Sequence, residues 1–380
     1  MERIEHVSIA QIPGFPGAAP TALRPGRPCR GKREPGRSKA LRFDLAQGRA
    51  ALTGHDMFMT ISRIVTLTLN PALDRSGNVN GLLPSEKLRC TGERIDPGGG
   101  GINVARVLTR FGADTVAIFP VGGWTGGQLV KLVEAEAIRF HTIPVSGATR
   151  ENVSIHDTVS GHQYRFVFPG APLPAWYAEQ CCNEVMHHIR PGGYLIASGS
   201  LPPGTAPGIY GALAGSVYAR GAKVVLDCSG RALREALGSQ LELVKVNQAE
   251  LEDVTEKPVR DGQQCLAAAR TLLASGTRMV AVTRGDAGAM LVSLDEAWEA
   301  AAPSVQCVST VGAGDSFLAA LVWSLAQDKS MGEALRMAVA AGSAALLTEG
   351  TGLCRMPDIE KLMGQVQLRS IENSLQAVGG

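Results

Sequence analysis

The sequence predicts an α/β fold: a mainly parallel sheet with helices on both faces and a small antiparallel addition. Three observations carry this. Short β-branched and apolar runs alternate with stretches of helical period, the pattern of parallel strands joined by right-handed crossovers. Most of those runs end in polar or glycine-rich turns, so one rim of the sheet collects the reactive side chains. Val153 and Ile155 on one side of Ser160-Gly161, and Gln163–Phe168 on the other, alternate at period two and read as a hairpin.

Residues 1–58 precede this pattern. They are rich in Pro, Gly, Arg and Ala and lack sustained periodicity, the composition of a segment that cannot offset its ordering entropy, so disorder is expected. Met57 or Met59 is the expected natural start, and the acids and prolines of the tail oppose a transit peptide. Residues 1–59 carry a net +5 of a total of +2, which leaves a mildly acidic body at −3. Nucleic acid is therefore not the expected main ligand, because backbone-phosphate binding leaves a basic footprint. By length alone the 380 residues could hold two or three domains. The eight cysteines show no C-x-x-C or Cys/His metal spacing and read as reduced thiols of a cytosolic protein. No apolar run approaches the ~20 residues needed to span a bilayer.

The first strand, Ile64–Leu69, ends in the turn Asn70–Asp74, which puts Asp74 just past a strand end, where open α/β sheets bind ligands. Residues 77–95 read as a short pair of strands, with Lys87 and Arg89 two residues apart on one face. Next, Gly98-Gly99-Gly100-Gly101-Ile102-Asn103 leads into Val104, Val107, Leu108 and Phe111 at helical spacing. Consecutive glycines cost entropy and add no packing, so close backbone approach to a ligand explains them better than a hinge; Asn103 offers a donor and an acceptor. A strand (Thr115–Phe119), a helix (about Gly126–Ala137) and a strand (Phe140–Val145) follow. The hairpin comes after these, directly preceded by Arg150, and would serve as a lid or an oligomer surface.

Strands are then expected at Tyr194–Ser198, Lys223–Asp227, Leu243–Val246, Met279–Thr283 and Ala289–Ser293. Their rim turns are Ser198–Gly204, Asp227–Ser229, Lys245–Glu250 and Thr283–Gly288. The chain is organised around Ser309–Phe317, in which a Gly-rich turn opens a helix with apolar residues at Leu318, Leu321, Val322 and Leu325. Gly312, Ala313 and Gly314 would present unpaired amides at the positive end of the helix dipole, a phosphate site. Asp315 has the wrong charge to grip phosphate. It is either a simple cap or a base acting on the hydroxyl that attacks phosphorus. A Walker loop, a G-x-G-x-x-G after a strand and a G-x-S-x-G elbow are all missing from the sequence, and its seven histidines show no partner pattern.

The pairing of the Gly98–Asn103 block near the first helix with the Thr310–Asp315 block near the last resembles the ribokinase-like sugar kinases, the PfkB carbohydrate kinase family, over about residues 60–365. The resemblance implies a three-layer α/β/α domain over 59–370, a β lid inserted at about 75–96 and 150–170, and a flexible tail at 371–380. It implies that Asp74, Gly98, Gly99, Asn103 and Ser200 hold the sugar, with Asp315 as base and Gly312, Ala313 and Gly314 as phosphate nest. Lys245 and Asn247 are assigned to the ATP phosphates and Glu250 to a water-bridged Mg²⁺, whereas the sequence alone also allows an ordinary solvated helix start there. Thr283, Gly285 and Gly288 would line the ATP cleft beside Ser343. A K⁺ site is implied around Ser309, Val311, Ala345 and Gly350, although Thr348 and Gly352 depart from the family's usual residues there; Cys307 stands where a hydroxyl is expected near the nucleotide.

The activity so implied is ATP-dependent phosphorylation of the 1-hydroxyl of fructose 6-phosphate, with Lys87, Arg89 and Arg150 available for its phosphate. Fructose-1-phosphate and tagatose-6-phosphate kinases usually carry Lys at the third position of the glycine block, here Gly100. Those two activities, and a non-catalytic sugar-phosphate binding protein, are the alternatives. The family pairs its lids, which implies a homodimer with Lys87 near the partner's site.

Overall fold

In the computed structural model, residues 63–371 are described; the extension expected to be disordered, and the expected tail beyond Ile371, lie outside them. In chain order the elements are β1 (Ile64–Leu67), β2 (Ala72–Val79), β3 (Thr91–Gly98), α1 (Gly100–Arg110), β4 (Thr115–Val121), α2 (Gly123–Ala135), β5 (Phe140–Pro144), β6 (Arg150–Asp157), β7 (Gln163–Phe166), α3 (Ala175–His188) and β8 (Tyr194–Ser198). The second half runs α4 (Ile209–Ala219), β9 (Lys223–Asp227), α5 (Gly230–Ala236), β10 (Leu243–Asn247), α6 (Gln248–Thr255), α7 (Gly262–Ala274), β11 (Met279–Thr283), β12 (Ala289–Val292), β13 (Ala297–Ala301), α8 (Ala313–Leu325), α9 (Met331–Ala345), α10 (Met356–Met363) and β14 (Gln367–Ile371).

Ten strands form one sheet in the order β14-β13-β12-β11-β10-β9-β8-β1-β4-β5. The run from β5 to β11 is parallel, whereas β12, β13 and β14 add antiparallel strands at one edge. The sheet is buried on both faces. Within β1, Val65 and Leu67 face a core shared with α3, α4 and α7, and Ile64 faces one shared with α1, α8, α9 and α10. Such strands read as continuous apolar runs instead of alternating ones. The edge strands β13 and β14 escaped the sequence reading: Ala-Trp-Glu-Ala-Ala and Gln-Leu-Arg-Ser-Ile have weak β-propensity and gain their place by pairing.

A second sheet of four strands, ordered β3-β2-β6-β7, stands apart from the first. Its outer pairs are antiparallel and its central pair, β2 with β6, is parallel. The expected strands at 77–95 exist, but they do not carry Lys87 and Arg89. Those residues lie exposed in the 80–90 connection, where Gly81 and Ser85 take positive φ angles (84° and 64°) and Pro84 has no amide to donate. No helix of the described residues is long and apolar enough to cross a membrane.

Candidate active site

The Gly-rich turn before α8 sits at the carboxyl-end rim between two depressions. Gly312 takes φ 79°, and a Cβ there would overlap Leu353, so the position requires glycine. Asp315 falls in the first turn of the helix. It does not act as the cap: its Oδ2 accepts from Asn103 Nδ2 at 2.8 Å. Burial first, and the Asp227 carboxylate second, push Asp315 up to about 6, against the opposing pull of Asn103 and Lys245. A carboxyl group poised there ionises near neutral pH, which suits a general base.

Three residues fix that carboxylate from below. Asn103 Oδ1 accepts from Arg106 Nη1 at 3.1 Å, and Arg106, 2% exposed, pairs with Glu136 at 2.5 Å. On the neighbouring strands, Lys245 Nζ donates to Asp227 Oδ1 at 2.9 Å and Ser198 Oγ donates to Asp227 Oδ2 at 3.0 Å. Burial lowers the Lys245 pKa and Asp227 raises it; the carboxylate prevails and the ammonium stays above its ordinary value. Asp227 and Arg106 received no role from the sequence, since only strand register and helix packing reveal their partners.

On one side of the turn lies a polar cavity of about 250 Å³, lined by Asp315, Asn103, Asp74, Ser200, Glu250 and Asp227, among others. The glycine block forms its wall. A Cβ at Gly98 would overlap Asp74, and one at Gly100 would overlap Ser198 Oγ. Asp74 accepts from Asn152 Nδ2 at 2.9 Å, and burial raises its pKa. Of the three cations expected here, only Arg150 lines the cavity. Its Nη1 and Nη2 donate to the Phe168 and Asn70 carbonyls, whereas its buried Nε has no partner. Lys87 and Arg89 do not line it. In their place stands Arg165 of β7, whose alternation was legible but whose facing was not.

On the other side lies a cleft of about 660 Å³, within the usual size of small-molecule sites. Asn247, Thr283, Gly285, Gly288 and Ser343 line it, together with Cys307 and the Thr310, Ala313 and Gly314 side of the turn. Lys245 lies beneath it: a Cβ on Gly314 would sit 3.2 Å from Lys245 Nζ. Asn247 and Glu250 form a reciprocal capping box at α6, at 2.9 and 2.8 Å, so the simple helix-start reading holds for their mutual contacts. Glu250 nevertheless faces the polar cavity.

Behind the turn, Ser309 Oγ donates to the Gly350 carbonyl at 3.0 Å and Thr348 Oγ1 to that of Ala345 at 2.8 Å, while Val311 N donates to Ser309 Oγ. The Ala345 carbonyl also accepts from the Thr348 amide at 3.1 Å, whereas the Gly350 carbonyl keeps a lone pair of the kind a monovalent cation takes. The small sheet touches the turn once more, where Thr310 Oγ1 donates to Gln163 Oε1 at 3.1 Å.

Residues 68–359 match the model of the pfkB family carbohydrate kinases. The chain is 41% identical over 302 residues to ATP-dependent 6-phosphofructokinase isozyme 2 of Escherichia coli, covering 79% of this chain and 97% of that protein. It is 38% identical over 300 residues to the enzyme of the same description from Mycobacterium tuberculosis, covering 79% and 88%. A 1-phosphofructokinase of Xanthomonas campestris is 33% identical over 268 residues, covering 70% and 84%. The crystal structure of the E. coli phosphofructokinase-2 in complex with fructose-6-phosphate overlays with a TM-score of 0.75 at 39% identity, covering 80% of this chain and 99% of that one. Structures of the same enzyme in complex with potassium and in a tetrameric inhibited form, each 40% identical with the same coverage, give TM-scores of 0.76 and 0.75.

Proposed function

The chain belongs to the pfkB family of carbohydrate kinases, and from that premise we propose that it transfers the γ-phosphoryl group of ATP to the 1-hydroxyl of fructose 6-phosphate, giving fructose 1,6-bisphosphate and ADP. The observation that carries this reading is the position of Asp315. One carboxyl group, held near pH 6, stands at a helix N-terminus between a cation-bearing polar cavity and a nucleotide-sized cleft.

The sugar phosphate occupies the polar cavity, with Asp74 and Asn103 on its hydroxyls and its 6-phosphate against the Arg150 and Arg165 side chains. Its 1-hydroxyl then points to Asp315, which takes the proton as the new O–P bond forms and the bond to ADP breaks. The amides at Gly312–Gly314 stabilise charge on the transferred group, and Lys245, with Asn247 beside it, serves the nucleotide phosphates. The family implies ATP with a divalent metal. Glu250 and Asp227, two carboxylates facing the same cavity, fit Mg²⁺, which neutralises phosphate charge when bound. Ser309, Val311 and Gly350 fit K⁺ through backbone and hydroxyl oxygens, and Ala345 joins them if its carbonyl gives up one of its two hydrogen bonds from Thr348.

Gly100 supports the choice of substrate. A side chain at this position, where fructose-1-phosphate and tagatose-6-phosphate kinases usually carry Lys, has no room beside Ser198 and would fill the cavity next to Asp315. For assembly, Phe166 on the small sheet and Phe168 just past its end are 50% and 55% exposed, and a four-stranded sheet needs its apolar face covered. A homodimer through this lid covers it and brings Lys87 toward the partner's cavity; sedimentation at micromolar concentration checks this, and a fully active monomer contradicts it. The described cysteines are all free, which suits a reducing cytoplasm.

The deciding experiment compares kcat/KM for fructose 6-phosphate, fructose 1-phosphate and tagatose 6-phosphate. The expected order places fructose 6-phosphate first. A preference for either of the others overturns the assignment.

A further inference from the structure

Far from the kinase rim, His141, Glu184 and His188 converge on one point. His141 is the second residue of β5, the edge strand, so it lies toward the end of the sheet opposite the carboxyl-end rim. Glu184 and His188 are four residues apart in the last turns of α3 and therefore share a helix face. The fold brings that face against the edge strand, and the ligating atoms of the three side chains all lie within 4.8 Å of one another.

Their spacing is unusual for a polar cluster satisfied from within. Glu184 Oε2 stands 3.6 Å from His141 Nε2 and 3.8 Å from His188 Nε2, beyond the reach of a hydrogen bond in both cases. His188 Nε2 is shielded from solvent and has no hydrogen-bond partner. The nearby Arg63 is held by Asp114 at 3.1 Å and does not claim the carboxylate. Three ligand atoms thus face a common gap.

We propose that His141, Glu184 and His188 form a binding site for a borderline transition-metal dication, Zn²⁺ in the first instance, that clips α3 to the edge strand β5. Bonds of ~2.0–2.2 Å in a tetrahedral Zn²⁺ site place ligand atoms roughly 3.3 Å apart, so the two Glu184 distances close by a few tenths of an ångström, and the two imidazoles, whose ligand atoms lie within 4.8 Å of each other, close by at most about 1.5 Å through side-chain rotation. Two imidazole nitrogens with one carboxylate suit Zn²⁺ and discriminate against Mg²⁺ and Ca²⁺, which require oxygen. A water completes the fourth position. The site is separate from the nucleotide-bound Mg²⁺ of the proposed kinase reaction and does not rest on it.

The test titrates the full chain, kept reduced, with Zn²⁺ in competition with a fluorescent chelator, and records Tm with and without the metal. The expected result is one equivalent bound that excess Mg²⁺ does not displace, together with a Tm rise of a few degrees. His141→Asn, Glu184→Gln and His188→Ala each lower that affinity by more than the roughly 10–100-fold typical of losing an outer-shell partner, and abolish the Tm rise. Without metal the same variants keep the wild-type Tm and turnover, which separates a lost ligand from a damaged fold. Absence of Zn²⁺ binding in the micromolar range overturns the proposal. So does binding that the three variants leave unchanged, because the thiols or the carboxylates of the kinase site then hold the ion.

Discussion

The turn at Asp315 and the small sheet that faces it do their work by different means. At the turn every reactive group is held from behind: Asn103 by Arg106, Arg106 by Glu136, and Lys245 by Asp227 and so by Ser198. On and beside the small sheet, Arg165 is exposed, Arg150 spends two of its nitrogens on the Phe168 and Asn70 carbonyls, and Phe166 and Phe168 are exposed. The difference teaches that chemistry is placed on buried, over-determined strands, whereas recognition of the substrate's far end is placed on a sheet completed by its surroundings. Substitutions at the turn should therefore change turnover and stability, and those on the sheet should change affinity and assembly.

The largest expected effect tests the first half of that contrast. Asp315→Asn lowers kcat about 10²–10⁴-fold with little change in sugar-phosphate affinity, measured by steady-state kinetics and equilibrium binding. In the wild type, kcat/KM falls about tenfold per pH unit below pH ~6, because the base must be ionised and its pKa lies at about 6. Stability moves the other way. The folded chain holds this proton more tightly than the unfolded one (about 6 against 3.8), so the ionised carboxylate opposes folding fully above pH ~6 and not below pH ~4. Asp315→Asn is then more stable at pH 7.5 by up to roughly 3 kcal/mol, a gain that shrinks toward pH 4 in urea titrations.

Lys245→Met comes next. It leaves Asp227 buried and unpaired at roughly 3–5 kcal/mol in urea unfolding, and raises the pH at which activity is lost, since Asp315 loses a cation and keeps its like-charged neighbour. Arg165→Ala should leave kcat near wild type and raise KM for the sugar phosphate about tenfold, with weaker salt dependence. The smallest effect on chemistry is expected from Phe166→Ser. It shifts sedimentation toward the monomer while each folded chain keeps its nucleotide affinity. A turnover loss in Arg165→Ala as large as that in Asp315→Asn would erase the contrast.

The sequence disclosed the parallel half of the sheet and the turn because their signals are local: β-branched runs, helical period, and glycines where a side chain has no room. Asp315, Gly312 and the rim turn Thr283–Gly288 were legible on those terms, whereas the place of Thr283, Gly285 and Gly288 in a nucleotide cleft came from the family resemblance. What it hid depends on pairing. The strands β13 and β14 have little intrinsic preference, and Asp74 was read into a turn because Asn70-Pro71 precedes it, although it lies within β2. Lys87 and Arg89 were placed on a strand by their spacing alone, and Gly81, Pro84 and Ser85 turn that stretch into a loop. Asp227 and Arg165 were visible as letters, but their facing follows from strand register. The His141–Glu184–His188 group joins a strand to a helix through residues more than forty positions apart, so no spacing rule reaches it.

The contact between Thr310 and Gln163 bears on the order of events in a catalytic cycle. Thr310 also lines the cleft proposed for the nucleotide, so an outward swing of the hairpin breaks a contact with the wall of that cleft. Departure of one product is thereby tied to departure of the other, and the exit is expected to be sequential, not random. Product-inhibition patterns should reveal a compulsory order in the wild type, and Gln163→Ala should loosen it by giving the hairpin leave to open on its own schedule.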